Sequence, residues 1–316
     1  MEAVTSSNVT AHTTNNAVET ELQKLMDADD AAQTEVDGWI QENQKFAAQG
    51  APIPAAELNR RILKRFEPVR KSYEDFINTH PEHAKARVAY ASFLDDIGDE
   101  EESQKQLEKA LELDKTDPAI WNNLANIYGH DGEVTNAFAY YAKAIALNPK
   151  EPVYYQNLAT TVYLFRVDAM EFYHITEPEV FDKALGLYAD ALKLDPTNFL
   201  LATDLAASYY GIRPLRTNDA LMAWTNALSI TSDETEREGV HTHLARVNAK
   251  VGRYDEARAH LNFVTNEMYA ELKTRILKNI QYRETNSPAD LTDIATNLPA
   301  VLLEPKNSTN ASGVAK

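Results

Sequence analysis

The chain is predicted to be all-α, a solenoid of antiparallel helix hairpins, and three observations carry that prediction. Ala110, Ala144, Ala191 and Ala227 recur at intervals of 34, 47 and 36 residues within similar local sequence. A period near this length marks an array in which each repeat is one small motif that buries its apolar face only against its neighbours. Trp121, Leu124, Ala125 and Tyr128 fall at i, i+3, i+4 and i+7, which puts all four on one face of a helix. Gly132 and Pro149 then punctuate the segment: glycine reverses the chain without a Cβ penalty, and proline ends a helix because it has no N–H to donate.

In chain order, residues 1–16 are polar and rich in Ser, Thr and Asn. They carry too little apolar surface to offset ordering entropy, so a disordered or extended tail is expected. A helical cap is expected over 17–83. Its first helix, Ala17 to Gln49, carries Leu22, Leu25, Met26, Val36, Trp39 and Ile40 on a broken stripe and stops at Gly50, Pro52 and Pro54. Its second, from about Ala55 to Asn78, carries Leu58, Ile62, Phe66, Val69, Tyr73 and Phe76, with Pro68 marking a kink or a fresh helix start.

Five repeats follow over 84–269. The first keeps Tyr90, Ala91, Leu94, Gly98, Ser103, Leu107 and Ala110 at the shared positions. The second, Pro118 to Pro149, adds Ala137, Tyr141 and Ala144, small residues where two backbones approach. The third opens with Tyr155, Leu158 and Ala159 and closes with Ala184, Tyr188, Ala191 and Pro196. The fourth uses Leu205, Ala206, Tyr209, Ala220, Trp224 and Ala227, and the fifth His241, Leu244, Ala245, Gly252, Ala257 and Leu261. Between its two helices the third repeat holds 13 extra residues, about 166–178. Closing so long a loop costs only about 1 kcal/mol, so the array is expected to continue through it. Met170, Phe172, Tyr173, His174 and Ile175 make the insertion too apolar for a solvated loop, so it either packs on neighbouring repeats or forms a binding surface. Glu267 to Glu284, with Met268, Leu272, Ile276 and Ile280 four apart, reads as the capping helix (270–285) that an array needs at its open end. Residues 286–316 read as an irregular tail in which Ala300 to Leu303, between Pro299 and Pro305, must rest on this molecule or on a neighbour.

Composition narrows the function. No run approaches the roughly 18–20 apolar residues of a membrane span. The absence of cysteine excludes disulfides, thiolate catalysis and cysteine-bound zinc. A formal charge of −17 opposes nucleic acid and anionic membrane as partners. Met1 to Asn16 has no apolar signal core, so the chain as given is expected to be cytoplasmic, or periplasmic or extracellular if a signal was trimmed.

The repeated residues resemble those of the tetratricopeptide repeat family, and the 118–149 copy matches at every signature position, as in stand-alone bacterial members. The resemblance implies a right-handed superhelix whose first helices line a concave groove through their second, fifth, sixth, ninth and twelfth positions. Carried over, the groove presents Asn122, Asn123 and Asn126, then Gln156, Asn157, Thr160 and Tyr163, then Thr203, Asp204 and Tyr210. Amides both donate and accept, which suits the backbone of an extended peptide or a helix. Among the tyrosine pairs of the repeats, Tyr141, Tyr155 and Tyr209 take core positions, leaving Tyr210 as the groove aromatic. Members that clamp the acidic C-terminus of chaperones pair such asparagines with lysine and arginine. Here those places hold Val153, Leu200 and Asp204, and an unpaired Asp204 would repel a carboxylate.

A non-catalytic scaffold for a protein or peptide partner is therefore the expected function, with no cofactor and no metal. Self-assembly through the terminal segments is the alternative. The helix-to-helix turns support it, being acidic early (Asp95, Asp96, Asp99, Glu100, Glu101, Glu102, Asp131, Glu133) and basic later (Arg166, Arg213, Arg216, Lys250, Arg253), a polarity that favours head-to-tail encounter. Glu171, His174 and Glu177 are spaced by three, but one histidine beside two surface acids falls short of a three- or four-ligand site. No nucleophile elbow, phosphate loop or zinc-protease motif is present. Asn8, Asn307 and Asn310 satisfy the glycosylation triplet inside polar tails and are assigned no role.

Overall fold

The computed structural model describes residues 4–286. Among them are fourteen α-helices, two 3₁₀ turns and no strand, an all-α fold of the solenoid class. The chain divides into two compact units, Met1–Tyr128 and Gly129–Lys316. Among the described residues no helix is long and apolar enough to cross a membrane. The Ala300 to Leu303 stretch lies outside the described residues.

In the first unit α1 (Val4–Ala48) and α2 (Ala55–Thr79) form a long hairpin. The backbone is helical from Val4, where the sequence suggests a tail to residue 16, because no glycine or proline interrupts residues 4–37. Asn43 closes the hairpin turn, its Oδ1 accepting from the Ile53 N–H at 2.6 Å. Pro68 neither breaks α2 nor starts a new helix. It sits on the exposed face, so the carbonyl it orphans four residues earlier meets water. Leu22, Leu25, Ala32 and Val36 of α1 bury against Phe66, Tyr73 and Phe76 of α2 and against Tyr90, Phe93 and Leu94 of α3 (Ala84–Asp96). Tyr73 stacks on Tyr90 at 5.3 Å, so the hairpin closes over the first repeat through aromatic contact. α4 (Glu100–Leu113) returns along α3, and α5 (Pro118–His130) follows.

The second unit holds α6 (Val134–Leu147), α7 (Pro152–Leu164), α8 (Arg166–Tyr173), α9 (Glu177–Leu194), α10 (Phe199–Ser208), α11 (Thr217–Ile230), α12 (Glu234–Lys250), α13 (Tyr254–Leu261) and α14 (Ala270–Thr285). α7 packs on α6 and α9, α10 on α9 and α11, α12 on α11 and α13, and α14 on α12 and α13. Ile276 and Ile280 of α14 bury against Ala245, Ala249, Ala257 and Leu261. Met268 does not join them: it lies in a 3₁₀ turn ahead of the helix and is exposed.

The repeated alanines explain themselves in this frame. Ala110, Ala144, Ala191 and Ala227 are fully buried, and each carbonyl accepts from the N–H four residues on, that of Asp114, Asn148, Asp195 and Thr231, at 2.8 to 3.3 Å. Three of the four then cap the connection with their side chains: Asp114 accepts from Thr116 N, Asn148 from Lys150 N, and Thr231 from Asp233 N. Three of the second helices thus end in the same short polar turn. Gly98, Gly132 and Gly252 turn between helices at φ near +80° (79°, 84° and 79°), where an L side chain would be strained.

The insertion is a helix rather than a loop. α8 buries Ala169 and places the Phe172 and Tyr173 rings 5.4 and 5.5 Å from Phe138 of α6. His174 ends it in the left-handed conformation, and Thr176 with Glu179 forms a capping box that starts α9. The apolar insertion residues therefore pack on the preceding repeat. Glu177 pairs with Arg166 at 3.5 Å.

Candidate partner-binding surface

Six of the ten residues named from the sequence lie together on α7 and α10 of the second unit. Gln156 Nε2 donates to Asp204 Oδ2 at 2.8 Å, joining the first helices of successive hairpins. Burial raises the Asp204 carboxyl above its ordinary range, opposed by the Gln156 bond. Asp204 is thus not the unpaired acid that the sequence suggests. Thr160 donates to the Gln156 carbonyl at 2.9 Å and accepts from the Tyr188 hydroxyl at 2.8 Å. Thr203 donates to the Leu200 carbonyl at 2.7 Å, and Asn157 is half-buried. Tyr163, at the far end of α7, points its hydroxyl at Gly211, whose N–H donates to it. A side chain at Gly211 would overlap that hydroxyl.

On α5, Asn122 is only 6% exposed and faces inward, its amide donating to Asn123 Oδ1 at 3.2 Å. Asn123 and Asn126 are half-buried. The tyrosine pairs also resolve differently at one place: Tyr154 is buried, whereas Tyr155 is half-buried and donates to the Pro149 carbonyl at 3.1 Å. Trp121 makes the same bond to Lys115, and Arg87 to Pro81, each six residues back. That position is used to tie the preceding turn, a task needing a donor on a long side chain more than an aromatic one.

Tyr210 is not a bare stacking platform. Its hydroxyl hydrogen-bonds with His243 Nδ1 at 3.1 Å and donates to the His243 carbonyl at 3.4 Å, and its ring lies 6.1 Å from Trp224, which stacks on His243 at 4.0 Å and 4°. Burial, with Arg246 nearby, pushes His243 down to about 3, so the imidazole is neutral. The Arg246 guanidinium lies over the Tyr210 ring at 4.4 Å, and the Lys250 ammonium at 5.5 Å. His243 and Arg246 escape a reading that stops at the fourth repeat. Continuing the same register into α12 places them at its sixth and ninth groove positions.

Some of the turn charges meet local partners: Asp99 with Arg70 at 2.7 Å, Glu101 with Lys105 at 2.8 Å and Arg216 with Asp182 at 2.5 Å. These pairs reduce the lengthwise polarity suggested by the sequence.

Comparison with known proteins supports the repeat fold. Family models described as tetratricopeptide repeat match residues 84–117 and 107–139. The photosystem I assembly protein Ycf3 of Cyanophora paradoxa is 30% identical over 132 residues, 39% of this chain and 76% of that protein. Among solved structures, YrrB, described as a TPR protein with an unusual peptide-binding site, superimposes with a TM-score of 0.51 at 15% identity over 66% of this chain and 99% of its own. The pilF protein of Pseudomonas aeruginosa also gives 0.51, at 14% identity over 81% of this chain and all of its own.

Proposed function

The chain belongs to the tetratricopeptide repeat family and is a protein-interaction scaffold, and from that premise we propose that it holds an extended peptide or helix along the first-helix face of its hairpins without catalysing a reaction. The observation that carries the proposal is the Gln156–Asp204 bond. It engages the Gln156 amide through its nitrogen, and the amide oxygen is a group that can accept from a guest backbone, with Asn157, Thr160 and Thr203 on the same two helices. A polar face held by its own hydrogen bonds is pre-organised, which lowers the ordering cost of binding. The kinship with an assembly protein supports a guest that is a polypeptide on its way into a larger complex. The net charge of −17 disfavours nucleic acid in that role.

Affinity capture from the native organism tests the proposal. A triple Gln156→Ala, Asn157→Ala, Thr203→Ala chain is expected to lose at least tenfold of the captured partner, since each lost polar contact is worth about 0.5–1.5 kcal/mol. Lys193→Ala, an exposed residue of α9, is expected to retain it. Equal recovery from both variants removes the groove from the account. Recovery of the chain itself as the main species would favour self-assembly instead.

A further inference from the structure

Four cations gather in the second unit without a carboxylate among them. Arg246 and Lys250 stand one turn apart on α12, Arg213 lies in the turn before α11, and Arg283 in the last turn of α14. Each is held in place. Arg246 lies on the Tyr210 ring at 4.4 Å, and Lys250 lies 5.5 Å from it. Arg213 Nη1 donates to the carbonyls of Tyr210 at 2.7 Å and Ile212 at 2.9 Å, and Arg283 Nη1 to that of Lys250 at 3.4 Å.

The chain has 48 acidic residues against 31 basic ones, and seven of its fourteen arginines pair with a carboxylate, among them Arg65 with Glu35 at 2.7 Å and Arg70 with Asp99 at 2.7 Å. Among the described residues none of these four has a carboxylate within 4.0 Å. Arg246, Lys250 and Arg283 are half-buried, so they cannot all relax into water. Burial first, and then Arg213, Arg246 and Arg283, bring the Lys250 ammonium down to about 8, with no acid opposing them. Like charges fixed this close destabilise the empty protein and are relieved when an anion arrives.

We infer that Arg213, Arg246, Lys250 and Arg283 form an anchoring subsite for an acidic peptide segment, whose Asp or Glu carboxylates they bind while Tyr210 supplies the floor. The inference rests on the reading that this unit holds a polypeptide, and it adds the charge of the guest and the place where it is fixed. Three guanidinium forks suit carboxylates geometrically, and four cations in a strongly acidic protein match a short acidic run rather than a long polyphosphate.

The test is fluorescence anisotropy of the full chain with a labelled peptide of four glutamates flanked by Gly and Ser, against the same peptide with four glutamines. The glutamate peptide is expected to bind at least tenfold tighter, and to weaken at least tenfold when salt is raised about tenfold to ~0.5 M. Arg246→Gln and Arg283→Gln are each expected to weaken it about tenfold. Arg213→Gln, at an exposed side chain, serves where the others lower the melting temperature, and Arg60→Gln, on α2, is expected to change nothing. Equal binding of the two peptides, or wild-type binding by folded cluster variants, overturns the inference. So does full displacement by low-millimolar inorganic phosphate, which would make this a small-anion site. If these results fail while the Gln156/Asn157/Thr203 variant still loses its native partner, the scaffold reading stands and only the anchor falls. If the glutamate peptide binds as expected while that variant keeps its partner, the anchor stands and the groove reading falls.

Discussion

A Phe138→Ala chain is expected to lose about 3–5 kcal/mol of unfolding free energy, the range for deleting a large ring from a packed core. Phe138 is 0% exposed on α6 and is the seat for the Phe172 and Tyr173 rings of α8. The substitution therefore opens a cavity and takes the support from under the inserted helix. Phe172→Ala, at a side chain 38% exposed, is expected to cost about 1 kcal/mol, since little apolar area returns to water. Urea unfolding gives both numbers, and hydrogen exchange over residues 166–173 reads the local consequence. Unchanged protection of α8 in Phe138→Ala would show that the helix is held by something other than this aromatic contact.

Asp29→Asn is expected to stabilise the protein at neutral pH by about 2 kcal/mol. Asp29 is buried between α1 and α2, accepts from the Tyr73 hydroxyl at 2.9 Å, and is pushed up to about 6 mainly by burial. A carboxyl whose folded pKa lies above its unfolded value of about 4 holds its proton more tightly when folded. Stability then falls as pH rises from about 4 to about 6 and stays lower above that window. Two units correspond to about 3 kcal/mol at most. Asparagine keeps an acceptor for Tyr73 without the charge, so the variant should lose most of this slope and exceed the wild type above pH 6. Asp96 is also raised to about 6, by partial desolvation of its carboxyl and then by Asp29, but the residue as a whole is exposed, so its share of the slope is screened. Denaturant unfolding between pH 4 and 8 decides the matter: parallel curves for the two proteins would refute the buried-charge explanation.

Much of this architecture is legible in the sequence, because the features that encode it are local. The repeated alanines mark close helix contacts, the glycines at 98, 132 and 252 mark turns that need positive φ, and Ile276 and Ile280 announce a capping helix. What escapes depends on neighbours distant in sequence. Tyr154 and Tyr155 are adjacent and equally aromatic, and only the packed helices decide that Tyr154 is the more buried. The insertion looks like a loop by length, yet Phe138, some thirty residues earlier, gives its rings a place to pack.

The site shows the same division. Position rules bring Gln156, Thr160, Thr203 and Asp204 to one pair of helices, because spacing along a helix fixes its faces. The same rules misjudge Asn122, which turns inward, and they treat Tyr210 as free. Its engagement with His243 and Arg246 needs α12, whose charged groove residues belong to no asparagine pattern.

The central claim, that a guest polypeptide lies on the α7–α10 face, is tested most directly by placing a photo-crosslinking residue at Thr203 in the full chain and irradiating in native cells. The account predicts covalent capture of a defined polypeptide at Thr203 and none at Thr225, an exposed residue of α11. Equal capture at the two sites, or capture at Thr225 alone, would contradict it.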